Sequence, residues 1–246
     1  MKPDGARALV TGASSGIGAA TARRLARLGA AVLLVGRDEQ ALGELATETG
    51  GRGLAMDLRR PSAPTEIADW AGDVDLLVCN AGVGWAGPLE KLPLSGIDEL
   101  VTVNLTAHLS LARLLVPGMV ARKRGHIVLV SSIAGCLGVA DEAVYAATKA
   151  GLRTFADSLR LANAGTGVGV SVVVPGVVDT PFFTRRGAAY DRVRPKPVPA
   201  DEVAAALVDA VRRNKAEVFV PAWLRFPARL HGALPGLVYQ LQRRFG

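Results

Sequence analysis

Tyr145 and Lys149 stand four residues apart, a spacing that places both side chains on one helix face and within reach of a common ligand. A free phenol titrates near pH ~10, so it shuttles protons poorly at neutral pH unless a neighbouring cation favours the phenolate. Lys149 can supply that cation. A useful downward shift of two or three units asks about 3 to 4 kcal/mol of the site, which a lysine and a cationic cofactor ring can provide together. The pair alone is weak, because a lysine stem also packs over a tyrosine ring in many helices that do no chemistry. Its weight depends on the elements that carry it.

Apolar runs of strand length recur at residues 6–10, 31–35, 53–56, 74–79, 126–130, 168–174 and 217–220. Their near-continuous hydrophobicity is the pattern of parallel strands buried on both faces. Segments of helical period lie between them, at 17–28, 40–48, 65–71, 95–121, 142–162 and 201–212. Strand and helix alternate throughout, which predicts an α/β, Rossmann-type doubly wound parallel sheet of about seven strands with helices on both faces. One catalytic domain is expected over residues 1–220, with residues 221–246 as a separate apolar and basic tail. Residues 179–199 break the alternation and end in three closely spaced prolines, the pattern of a mobile excursion able to act as a lid.

Thr11-Gly12-Ala13-Ser14-Ser15-Gly16-Ile17-Gly18 falls between the first strand and the first helix. Glycines there permit a tight turn and bring a pyrophosphate close to the helix N-terminus. Ser132 closes the fifth strand and Tyr145 follows thirteen positions later, so both face the crevice beyond the carboxyl ends of the strands. Each has a plainer reading as well: Ser132 as a cap or turn residue, Ser131 as a backbone partner, Asn104 as a mid-helix group satisfying a bulge, Asp57 as a helix cap.

Taken in order, Thr11 to Gly18, Cys79-Asn80-Ala81-Gly82, Asn104, Ser131-Ser132, Tyr145-x-x-x-Lys149 and Pro175-Gly176 form a combination far more specific than any member. On these residues the chain resembles a compact short-chain dehydrogenase/reductase over about residues 5–220. The resemblance implies hydride transfer between a nicotinamide and a carbonyl or secondary alcohol. Tyr145 would exchange the proton, Ser132 would hold the oxygen, and Lys149 would lower the tyrosine pKa and bind the nicotinamide ribose. Asn104 would anchor a water linking the lysine to solvent. Gly12, Ser14, Ser15, Gly16, Ile17 and Gly18 would cradle the phosphates, Asp57 and Leu58 would border the adenine, and Asn80, Ala81 and Gly82 would lie beside the cofactor ribose. Pro175, Gly176, Val177, Val178 and Thr180 would cover the carboxamide, with Phe182 and Phe183 opening the lid. Thr148 stands where the family often has serine.

Cofactor choice follows from charge. Asp38 is spaced like the acid that binds the ribose hydroxyl of NAD, but it is better placed to cap the next helix. The second strand instead ends at Gly36-Arg37, and by resemblance a basic residue at the Arg37 position implies NADP(H) over NAD(H), with Ser14 or Ser15 adding a hydrogen bond.

The bulk properties exclude several classes. Cys79 and Cys136 are neither clustered nor spaced as metal ligands, and the three histidines are dispersed, so no metal site, disulfide framework or hydrolase triad is expected. The formal charge of +7 is scattered without aromatic-interleaved basic motifs, which argues against nucleic acid. Neither a leader nor eighteen uninterrupted apolar residues is visible, so a cytoplasmic protein is expected, peripheral to a membrane if the tail binds one. That tail mixes Trp223, Phe226, Leu230, Leu234 and Leu237 with Arg225, Arg229, Arg243 and Arg244. It can lie on an anionic membrane surface, pack on a neighbouring subunit or cover the substrate pocket. The hydrophobic lid suggests a lipophilic small-molecule substrate, steroid-, retinoid-, sphingoid- or acyl-like, and by resemblance to the family the longer end leans toward the first three. The resemblance implies a homodimer or homotetramer through the helices at 95–121 and 142–162. A non-catalytic nucleotide-binding sensor on the same fold is the alternative, but an altered tyrosine or lysine would have favoured it and both are present.

Overall fold

All seven apolar runs become strands of one parallel sheet in the computed structural model, which describes residues 1–187, 190 and 195–245. They are β1 (Arg7–Thr11), β2 (Ala31–Gly36), β3 (Arg52–Ala55), β4 (Leu76–Cys79), β5 (Gly125–Val130), β6 (Val168–Pro175) and, after a short pair β7 (Val178–Asp179) and β8 (Val198–Pro199), β9 (Glu217–Val220). The order across the sheet is β3-β2-β1-β4-β5-β6-β9, so the winding direction reverses between β1 and β4. Register runs Val10 opposite Leu34 on one side and Val78 on the other. At that reversal the loops beyond β1 and β4 diverge and leave a crevice.

Alternation along each strand divides the core into two layers. Ala8, Val10, Leu34 and Val128 face α1 (Gly16–Arg27), α2 (Glu39–Thr49) and α8 (Ala200–Arg213), where they meet Leu25, Leu42 and Leu207. Leu9, Leu77, Ile127 and Leu129 face α3 (Ala63–Ala71), α5 (Ala107–Ala121) and α6 (Ala143–Ala162), meeting Ile67, Leu111 and Leu152. Leu152 is 0% exposed, and truncating such a side chain to alanine costs about 2 to 5 kcal/mol. The edge strand β3 departs from the expected two-sided burial: most of its residues are exposed, because it has a neighbouring strand on one side only, although α2 packs against it and Arg52 stacks over Trp70 of α3.

The helix at 94–121 is continuous but not uniform. It runs as α4 (Leu94–Val101), a π-helical turn at Thr102–Thr106, and α5. By length and composition it could cross a membrane, yet Leu111, Ala112 and Met119 are wholly buried against the sheet and α3, which makes it a core helix.

Two regions are more ordered than the sequence suggested. The excursion contains β7, α7 (Phe182–Arg185) and β8; the part of it at 188–189 and 191–194 lies outside the described residues. The tail forms α9 (Arg225–Ala233) and α10 (Pro235–Phe245) in spite of its prolines. Pro227 is the third residue of α9 and Pro235 the first of α10, positions in a first turn where an amide donor has no intrahelical partner to lose.

Candidate active site

A cleft of about 570 Å³ opens at the winding reversal, between the carboxyl ends of the strands. At one end the chain turns from β1 into α1. Gly12 adopts a φ of +65°, and a Cβ on Gly18 would lie 2.1 Å from the Gly12 carbonyl oxygen, so neither position accepts a side chain without moving backbone. Thr11 and Asn80 brace the turn from beneath. Asn80 Nδ2 donates to the carbonyls of Thr11 (3.0 Å) and Gly12 (3.2 Å), while Thr11 Oγ1 accepts from the amides of Asn80 (3.0 Å) and Ala81 (3.1 Å). The Asn80 side chain is therefore a strut from the end of β4 to the β1 turn, and Asn80 also lines the cleft.

Farther along this wall Ser14, Gly36 and Arg37 lie together, followed by Asp57 and Leu58. Asp38 caps α2, accepting from the Ala41 amide at 3.0 Å, and is not among the residues that line the cleft. Asp57 pairs with Arg59 at 2.5 Å, which holds its carboxyl below the usual range.

At the other end, Ser132, Tyr145 and Lys149 line the same cleft. β5 delivers Ser132, whose Oγ also accepts from the Ala134 amide at 3.2 Å, so its capping and cleft-facing readings are both realised. Ser131 Oγ donates to the Lys149 carbonyl (2.8 Å), fixing α6 to the end of β5. Lys149 Nζ donates to the Val130 carbonyl at 3.0 Å and stands 5.7 Å from the centroid of the Tyr145 ring. Thr148 Oγ1 donates back to the Tyr145 carbonyl and accepts from Asn104 Nδ2, tasks that its hydroxyl performs as a serine would.

Asn104 sits inside the π turn and is wholly buried. Its amide clamps Val83, with Oδ1 accepting from the Val83 amide at 2.8 Å and Nδ2 donating to the Val83 carbonyl at 2.9 Å. A Cβ on Gly82 would lie 3.3 Å from Asn104 Oδ1 and 3.5 Å from Lys149 Nζ, so the two side chains converge on Gly82. Asn104 and Gly18 lie behind the cleft wall, whereas the other expected site residues, from Gly12 to Thr180, line it.

Electrostatics correct one expectation. In the protein by itself the Tyr145 phenol is not acidified by Lys149: burial pushes its pKa above the ordinary value, against a smaller downward influence from the adjacent Ser132 hydroxyl. The ammonium approaches the ring face and is directed to the Val130 carbonyl, while burial lowers its own pKa to about 8. Tyr145 is thus a phenol throughout the neutral range, the form that can give a proton to a carbonyl oxygen.

Three features go beyond the sequence reading. His108 is 0% exposed, with Nδ1 3.2 Å from the Asn104 carbonyl and Nε2 3.5 Å from Thr11 Oγ1; only a protonated Nδ1 serves a carbonyl, which leaves Nε2 as an acceptor. Burial holds it neutral, with a pKa of about 3. Its spacing four residues after Asn104 was the available clue. Arg186 pairs with Glu142 at the rim, and Arg185 donates to Ser15 Oγ across the cleft mouth at 2.6 Å. Above Tyr145, Phe182, Phe183 and Tyr190 form a chain of ring contacts at 5.6, 5.7 and 5.6 Å.

A glycine cradle at one end and a phenol, a hydroxyl and an ammonium at the other suit a dinucleotide lying along the wall. The sequence matches the family model for short chain dehydrogenases over residues 6–191. It is 38% identical over 228 residues to 1-deoxy-11-beta-hydroxypentalenate dehydrogenase of Streptomyces exfoliatus, covering 86% of this chain and 82% of that one. Among solved structures it resembles a short-chain dehydrogenase from Sphingobium yanoikuyae in complex with NADPH, with TM-score 0.84, 31% identity and 95% of each chain covered. It also resembles a short chain dehydrogenase/reductase from Burkholderia phymatum in complex with NAD, with TM-score 0.86, 26% identity and 96% of each chain covered. The braced glycine turn, the shared cleft and these likenesses lead to one conclusion: the chain belongs to the short-chain dehydrogenase family, oxidoreductases that work with a nicotinamide dinucleotide.

Proposed function

We propose that this protein is an NADP(H)-dependent reductase of lipophilic ketones, or the corresponding secondary-alcohol dehydrogenase. The observation that carries the reading is the convergence of Ser132, Tyr145 and Lys149 on one wall of the cleft whose far end is the glycine turn. When bound, the nicotinamide supplies or accepts the hydride. Tyr145 Oη gives a proton to the substrate oxygen during reduction and takes it back during oxidation, and Ser132 Oγ holds that oxygen in place. Lys149 balances the charge that builds on the phenol oxygen. A sensor without turnover is not favoured, because all three groups are intact and face one cleft.

Arg37 supports the NADP(H) preference: it follows Gly36 on the wall beside Ser14, and a guanidinium there suits a 2′-phosphate. The aromatic chain of Phe182, Phe183 and Tyr190 over Tyr145 supports an apolar substrate, and the Streptomyces relative is named for a hydroxypentalenate. A panel of hydrophobic ketones assayed by loss of NADPH absorbance tests the reading. Turnover with NADPH above NADH is expected; equal or better use of NADH removes the cofactor preference, and no turnover with any ketone or alcohol removes the reductase.

The tail suits a surface of anionic lipid. Trp223, Phe226, Leu234, Leu237 and Tyr239 are exposed, and no acidic residue follows Glu217. Flotation with phosphatidylserine vesicles, with and without residues 222–246, is expected to show tail-dependent binding; equal flotation removes the idea. Leu114 and Leu161, exposed on α5 and α6, suit a second copy of the chain in a homodimer or homotetramer, measurable by light scattering.

A further inference from the structure

We propose that Arg185 is a phosphate ligand for the dinucleotide, delivered to the β1–α1 turn from the opposite lip of the cleft. The proposal rests on the dinucleotide reading above and adds a residue from outside the glycine turn. Arg185 Nη2 donates to Ser15 Oγ at 2.6 Å across 170 positions of sequence, and Nε donates to the Pro181 carbonyl at 3.3 Å. Among the described residues no carboxylate lies within ion-pair distance of Arg185, in contrast to its neighbour Arg186, which is paired with Glu142. The guanidinium lines the cleft and keeps donors beyond the two it uses.

Its partner is equally open to an anion. Ser15 is the N-cap of α1, yet its hydroxyl makes no capping bond to the helix, and the first turn of α1 holds no acidic residue. Free amides of a helix start and an unneutralised guanidinium therefore meet at one spot with no fixed negative charge between them. An anionic phosphate of the dinucleotide supplies that charge, and a planar fork of N–H groups matches its oxygens. The segment is held in this position from both sides. A Cβ on Gly16 would lie 2.9 Å from Thr180 Cγ2, and the Val198 amide donates to the Val177 carbonyl at 2.9 Å. Arg185 thus couples the substrate-side segment to the presence of dinucleotide.

The phosphate is either the diphosphate or the 2′-phosphate, and binding measurements separate them. Calorimetric titration of wild type, Arg185→Ala and Arg185→Lys with NADPH, NADH and adenosine 2′,5′-bisphosphate is the test. Loss of one charge-assisted contact predicts about 10- to 100-fold weaker NADPH binding for Arg185→Ala, partly restored by lysine. Equal weakening for NADPH and NADH assigns the diphosphate; weakening for NADPH and the bisphosphate but not NADH assigns the 2′-phosphate. Wild-type affinity of Arg185→Ala for every probe overturns the proposal and leaves the dinucleotide reading standing, whereas a wild type that binds neither dinucleotide overturns both.

Discussion

The two ends of the cleft are built from different materials. The nucleotide end is backbone: glycines, a helix start, and struts from Thr11 and Asn80 that hold carbonyls and amides in place. The reacting end is buried side-chain polarity, with Tyr145 and Lys149 at 8% and 3% exposure and both pulled from their ordinary pKa values toward the uncharged form. One end is specified by shape and the other by desolvation. Substitutions at the first should cost fold and binding together, and those at the second should cost turnover while sparing the fold or even helping it.

The largest effect sharpens the first half of that contrast. Gly18→Ala forces a Cβ to within 2.1 Å of the Gly12 carbonyl oxygen, so NADPH binding should be abolished in calorimetry and the melting temperature should fall. Retained binding would show that the turn adapts. Lys149→Met probes the other half. General acid–base assistance is worth about 10²- to 10⁴-fold, so turnover should drop by about 100-fold or more. Stability should move the opposite way. The folded lysine titrates at about 8 against 10.5 ordinarily, so below pH 8 the ammonium is present folded and unfolded and its burial cost is fully felt. Methionine should stabilise the fold by about 1 to 3 kcal/mol at pH 7, a gain that shrinks as pH rises from 8 toward 10.5. Loss of stability at pH 7 would break the contrast.

Smaller effects follow. Arg37→Ala should lower the preference for NADPH over NADH by about tenfold, the worth of one exposed charge-assisted contact, as read from the ratio of their kcat/KM values. Buried polarity is also present away from the cleft wall, at His108 behind it and at His126 near the start of β5. His108 and His126 are held neutral with pKa values of about 3 and 4, well below the ordinary 6.5 of the unfolded chain. The unfolded state therefore takes up protons first as pH falls, and stability present above pH 6.5 should decline by about 1.4 kcal/mol per pH unit for each histidine down to pH ~4. Melting curves between pH 7 and 4 check it; half the slope would mean that one ring is already charged in the fold, and a flat profile that neither is held neutral.

The same contrast explains what the sequence disclosed. Strands were legible because a parallel strand buried on both faces is a continuous apolar run, and the two edge strands, β3 most of all, lacked that burial. The glycine turn was legible because positive φ and close approach restrict residue type at fixed offsets. Tyr145, Lys149 and Ser132 were found by type and spacing, but the direction of the Tyr145 shift was not, since a one-dimensional pattern shows a neighbouring cation and hides desolvation. Asn104 was readable as the group at a bulge, and the π turn bears that out, while its clamp on Val83 depends on a loop folded back from β4. Pro227 and Pro235 fall in the first turns of α9 and α10, helix starts that nothing else in the tail marks. The Arg185 contact spans 170 residues and leaves no local trace.

The proposed proton transfer turns on the Tyr145 phenol, and a paired measurement on Tyr145→Phe tests it most directly. Affinity for NADPH and turnover of a hydrophobic ketone should be recorded on the same preparation as wild type. The account predicts unchanged dinucleotide binding with turnover lowered by about 10³-fold, within the range for loss of a positioned proton donor. Turnover equal to wild type with binding intact would contradict it.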